Sequence, residues 1–270
     1  MRLAHRVGIG WREELAAGIV ASLDKIDVLE VIAEEWLKGP DSRVRALRTL
    51  GRQRPVLLHG TGMGMAATAG VERERLERMA RLMEKSGAES WSEHFAFVRA
   101  GGVEIGHLAA PPRNTSTVEA TAENLELARR VTGRMAMMEN ISTLIDPPGS
   151  SMEEACWIAG VQRESGAELL LDLHNVHANA VNFGYDAAEF LGKLDWDLIS
   201  TVHIAGGRML PEGRVLDDHL HDVPVPVYEL LREAGRRAVK PLTVILERDG
   251  NYPRMEELLE QIEQARRALT

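Results

Sequence analysis

Cysteine is nearly absent. Cys156 is the only one in the chain, which excludes an internal disulfide framework and any Cys-rich zinc or iron–sulfur site. No apolar run approaches the ~20 residues that a membrane-spanning helix needs. The N-terminus lacks the basic and apolar regions of a signal peptide, so a cytoplasmic location is expected, with no membrane partner. Positive charge is short as well. A net charge of −9 gives no basic face for general nucleic-acid binding. No Gly-rich phosphate loop follows the first strand-like run, because GIGWREE lacks a third glycine. That removes the main support for a doubly wound open sheet. No linker, repeat or low-complexity stretch divides the chain, and residues 1–270 are expected to form one domain.

What is present is alternation. Strand-like runs are His5–Gly10, Asp27–Ile32, Pro55–His59, Ser90–His94, Met135–Glu139, Glu168–Leu173, Ser200–Ile204 and Leu242–Glu247. Helix-like runs are Arg12–Leu23, Asp41–Gly51, Glu72–Lys85, Val118–Thr132, Met152–Ser165, Ala187–Lys193, Val227–Arg237 and Met255–Ala268. Several strands are near-continuous apolar runs, as expected when both faces are buried. Eight strands in strict alternation with eight helices predict a (β/α)8 barrel. Gly87 and Gly166 read as helix stops. The two long segments Ala96–Asn114 and Gly206–Pro226 read as loops on the C-terminal face, where barrel active sites lie.

The strand ends carry the chemistry. His59, His94, Glu139, Asp172, His203 and Glu247 end six consecutive strands, and His174, Asp217, His219 and His221 follow closely. A lone His there is more often a hydrogen-bonded structural residue, and a lone acid often caps the next helix. Six together in a barrel converge on one pocket, and several buried carboxylates without a cation would be costly. The pattern therefore predicts a metal centre. Imidazole and carboxylate without thiolate suit Fe, Mn, Zn or Co. Nine or ten candidate ligands exceed the roughly six that one ion takes, so two or three ions are expected. His5 reads as structural, His107 as undecided, and His177 and His221 as residues that orient a ligand or contact substrate. Arg248 and Asp249 read as an ion pair near the site, and Cys156 as a buried small apolar residue.

Ordered motifs extend this reading. They are Gly8-Ile9-Gly10-Trp11-Arg12, Leu29-Glu30-Val31, Leu58-His59-Gly60, Ser92-Glu93-His94, Glu139-Asn140, Leu171-Asp172-Leu173-His174-Asn175, Val181–Asp186, His203-Ile204-Ala205-Gly206, Asp217-Asp218-His219, Pro224–Val227 and Leu246–Asp249. In this order they resemble the multinuclear iron-dependent oxidative enzymes, the family that includes the methanobactin-biosynthesis oxidase. The resemblance implies a xylose-isomerase-like TIM barrel with two or three irons. It implies oxidation of a peptide with O2, usually at a cysteine of a ribosomally made peptide, and a small partner protein that delivers the peptide leader. The family's metal positions fall on His59, His94, Glu139, Asp172, His203, Asp217, His219 and Glu247. His174 stands where many members carry Asn, and Gly207 where many carry His. With His174 added as a ligand, Asp172, Asn175 and His177 are the candidate catalytic residues. A divalent-metal sugar isomerase or epimerase using Glu139, Asp172, His203 and Glu247 is the alternative. A zinc phosphoesterase and a non-enzymatic metal-binding scaffold are weaker ones.

Overall fold

All eight segments read as barrel strands are strands in the computed structural model, which describes residues 3–270. The strands are β1 (Arg6–Gly10), β2 (Leu29–Ile32), β3 (Val56–His59), β4 (Ser90–His94), β5 (Phe97–Ala100), β6 (Val103–Ala109), β7 (Met137–Glu139), β8 (Leu169–Asp172), β9 (Ile199–Ile204), β10 (Arg208–Met209), β11 (Val215–Leu216) and β12 (Thr243–Leu246). Eight of them close into a barrel in the order β1-β12-β9-β8-β7-β4-β3-β2. The pairings β1–β12, β1–β2, β12–β9, β3–β4 and β4–β7 are parallel. Parallel neighbours need long crossovers, and the helices supply them. Strands β3, β7, β8 and β12 are buried along their whole length, as their apolar runs require.

By packing, the described chain falls into two compact units. One runs up to Val31 and resumes over Leu170–Thr270; the other is Ile32–Leu169. In the first unit Gly8 lies so close to β2 that a Cβ there would stand 1.8 Å from the Val28 carbonyl oxygen. In the second unit helix Arg73–Ser86 buries Leu76, Met79, Leu82 and Met83, the spacing of an amphipathic helix. Gly87 ends it in the left-handed region at φ +72°, and Gly166 ends helix Glu154–Ser165 at the same angle. Helix Thr115–Thr132 starts at Asn114, whose side chain accepts from the Thr117 amide while the Thr117 side chain returns the bond.

Four features differ from the sequence reading. The loop 96–114 contains the antiparallel hairpin β5–β6, and the loop 206–226 contains the short pair β10–β11. The segment after β8 is a helix, Leu173–Phe183. Helix Arg12–Leu23 is broken into short 3-10 and α pieces. Among the described residues no helix is long and apolar enough to cross a membrane.

Candidate metal centre

The unit Ile32–Leu169 brings together His59 from the end of β3, His94 from β4 and Glu139 from β7. Their ligand atoms lie within 4.8 Å of one another, and all three residues are buried. The orientation of each ring is set by its far nitrogen. His94 Nδ1 is 3.1 Å from the Gly60 carbonyl oxygen. A carbonyl only accepts, so Nδ1 carries a proton and Nε2 is the nitrogen turned into the cluster. His59 Nδ1 is 2.8 Å from the Ser92 hydroxyl, which reaches on to the Leu58 carbonyl, so it too is the protonated nitrogen. Both Nε2 atoms face Glu139 Oε2, at 3.3 and 3.2 Å. Two ligands each about 2.1 Å from one ion stand roughly 3.0–3.4 Å apart for angles between a right angle and tetrahedral, so the spacing fits a shared cation.

Beside this cluster Glu93 is fully buried, accepting from the amides of Met63 (2.8 Å) and His94 (2.9 Å). Burial, with the nearby Glu34 charge, pushes its pKa up to about 7.

The other unit holds a second cluster of buried residues: Asp172 from β8, His203 from β9 and Glu247, one residue beyond β12, again with ligand atoms within 4.8 Å. His203 Nε2 is 3.0 Å from a Glu30 carboxylate oxygen. A carboxylate accepts, so Nε2 carries a proton, and Nδ1 faces Glu247 Oε2 at 3.0 Å. Asp172 has two duties. Its Oδ1 accepts from the Asn175 amide at 2.6 Å and caps helix Leu173–Phe183, the bland role of an acid at a strand end, while Asp172 also belongs to the ligand cluster.

In the same unit Asp217 and His219 sit together, with His219 Nε2 2.8 Å from Asp217 Oδ1. His219 has φ +54°, a strained setting for a non-glycine residue. Burial works against protonating its ring, but Asp217, Glu247 and Asp249 outweigh that and raise its pKa well above the usual value. His174 is 1% exposed, and burial lowers its pKa to about 4 despite Asp217. Asn175 is buried and His177 half-buried in the same helix, the His177 ring centroid 6.2 Å from that of His174.

Several residues outside the expected set support these rings. Glu30 holds His203, Ser92 holds His59, and Asp249 holds His219 at 3.0 Å while accepting from Arg12 Nε at 2.8 Å. The expected Arg248–Asp249 pair is therefore corrected: Arg248 bonds Asp222 at 3.1 Å instead. The signal for Glu30 was a lone carboxylate inside the buried strand LEVI. Ser92, two residues before His94, gave none, since a buried serine is ordinary. His5 is structural as expected, its Nδ1 accepting from the Leu242 amide at 3.0 Å. His107 and His221 are exposed, the latter against Asp218 at 3.0 Å. Cys156 is exposed, not buried, because it falls on the outer side of a helix whose inner side is Ala155, Trp157, Ile158 and Val161.

The family profile described as RiPP precursor modification enzyme MbnB/TglH/ChrH matches residues 6–270. The chain belongs to this family. A UPF0276 protein of Streptomyces avermitilis is 36% identical over 271 residues, covering 97% of this chain and 54% of that protein, so the chain spans about half the length of that relative. Among solved structures, a xylose isomerase domain protein from Salmonella typhimurium superposes with a TM-score of 0.61 at 16% identity, covering 100% of this chain and 99% of the other. D-psicose 3-epimerase crystallised with D-fructose gives 0.57 at 14% identity, covering 98% and 96%. These likenesses establish the xylose-isomerase-like TIM barrel, and the family is one of enzymes that modify precursor peptides.

Proposed function

We propose that this protein is an iron-dependent oxidase or oxygenase that holds at least two irons and uses O2 to modify a peptide at a cysteine of a ribosomally made precursor. The observation that carries the reading is the pair of buried clusters, His59–His94–Glu139 and Asp172–His203–Glu247, in which hydrogen bonds orient each ring so that its other nitrogen faces a carboxylate oxygen. Each such contact gathers a ring nitrogen and a carboxylate oxygen in a buried setting, the donor types that a shared cation takes. The donor set of imidazole and carboxylate fits iron, and equally manganese or zinc. Membership of a precursor-peptide-modifying family supports the peptide substrate, and we propose with it a small leader-binding partner protein.

Each cluster takes one ion. Bound iron supplies the electrons that O2 chemistry requires. The protein's own residues set the rest. Ser92 and the Gly60 carbonyl hold His59 and His94 in one tautomer, and Glu30 does the same for His203. Asp172 anchors the start of helix Leu173–Phe183 and so positions Asn175 and His177, which we assign to substrate contact.

The test is anaerobic purification followed by metal analysis and an oxygen-electrode assay with a cysteine-containing peptide. Two or more irons per chain, with peptide-dependent O2 uptake, is the expected result. A single Mn, Co or Mg with ketose interconversion, the chemistry of a sugar isomerase or epimerase, would overturn it.

A further inference from the structure

Arg99 reaches from the hairpin β5–β6 onto the loop 60–67, and its side chain is 16% exposed. Its guanidinium donates from one nitrogen to the Gly62 carbonyl oxygen at 3.0 Å and from the other to the Met63 carbonyl oxygen at 2.7 Å. The carboxylates beside it stand farther off, Glu72 and Glu104 at 3.5 Å each. This cation is directed at two successive backbone carbonyls more closely than at any acid.

The peptide group between Gly62 and Met63 serves two partners at once. A trans peptide points its C=O and N–H in opposite directions. Here the C=O meets Arg99 and the N–H donates to Glu93 Oε1 at 2.8 Å. A cation on one side and a buried carboxylate on the other polarise the group and strengthen both bonds. Glu93 stands in β4 between Ser92, which holds His59, and His94, whose amide donates to Glu93 Oε2 at 2.9 Å. The same loop supplies the Gly60 carbonyl that sets the His94 ring. It lies hard against its carboxylates: a Cβ at Gly60 would stand 2.9 Å from Glu93 Oε1, and one at Gly62 would stand 2.9 Å from Glu34 Oε1. A change in the tilt of the 62–63 peptide therefore passes to Glu93 and to Gly60, and from both to His94.

We propose that Arg99 is a positioning residue for the His59–His94–Glu139 cluster. It fixes the Gly62–Met63 peptide, which anchors Glu93 and, through Gly60, the His94 ring. The role rests on the reading of that cluster as a metal site and is independent of oxidase chemistry.

The experiment loads metal-free full-length protein with Zn(II) and follows the ion that H94A loses, by competition against a chelator of known affinity. R99M keeps the aliphatic stem and removes both donations, and its affinity is expected to fall about 10-fold. R99K has one amine, which cannot span both carbonyls, and is expected to fall less; should R99M not fold, R99K alone decides. E104A removes an acid beside Arg99, leaves the carbonyl bonds, and is expected to bind as wild type does. Each variant is checked for an unchanged thermal midpoint in the metal-free state. The visible absorption of Co(II) at the cluster, which follows ligand geometry, is expected to shift in R99M and not in E104A. Wild-type affinity in the arginine variants, or an equal loss in E104A, would overturn the role of Arg99 and leave the metal site standing. Equal Zn(II) counts in wild type and H94A would overturn the cluster reading and this role with it.

Discussion

His59 and His94 aim their Nε2 atoms at a single oxygen, Oε2 of Glu139. One carboxylate oxygen therefore closes the cluster in the unit Ile32–Leu169, and its loss leaves two imidazoles alone. Glu139→Ala is expected to lose at least one bound ion per chain, measured by mass spectrometry of the metals after gel filtration. Full metal content would refute the assignment.

Ser92 sets the His59 ring without being a ligand itself. Ser92→Ala is expected to keep the fold and weaken metal binding about 10- to 100-fold, the usual effect of removing an orienting partner. Competition against a chelator of known affinity reads this directly. Glu30→Ala removes the corresponding partner of His203 and is expected to fall in the same range.

His5 gives a pH dependence remote from these clusters. Burial lowers its folded-state pKa below the model-peptide value of 6.5, and its neutral Nδ1 accepts from the Leu242 amide. The unfolded chain protonates at this position first as pH falls, so the contribution is present above pH 6.5 and is lost below it. Wild type is expected to lose more stability than His5→Gln between pH 7 and 5. Parallel curves of denaturation midpoint against pH would contradict this.

Gly8→Ala forces a methyl against the Val28 carbonyl oxygen. Overpacking of this kind costs about 1–3 kcal/mol, and backbone on the receiving side offers little relief. A clear drop in the urea midpoint is expected, whereas a gain would mean that β1 shifts freely.

The barrel was legible because burying both faces of a parallel strand demands apolar runs, and β3, β8 and β12 read VLLH, LLLD and TVIL. The candidate ligand positions stood out for the complementary reason: His59, Asp172 and Glu247 are charged or polar where such runs end. Helix Leu173–Phe183 was not. Its sequence LHNVHANAVNF carries asparagines and histidines that weaken helix propensity, and what fixes its start is a cap from Asp172, a residue that reads first as a ligand. The hairpin β5–β6 was hidden for a different reason. Its second strand is largely exposed, so no buried stripe marks it. Ser92 and Asp249 act through other side chains, and pairings between distant segments leave no local trace; Glu30 was marked only by being a carboxylate inside a buried strand.

Cys156, the sole thiol, lies on the protein's exterior. A maleimide dye will therefore mark one known place on helix Glu154–Ser165. Once that sulfur is capped or replaced by serine, every remaining thiol signal in a reaction mixture belongs to the added peptide, and the fate of a substrate cysteine can be followed by thiol titration without background from the protein.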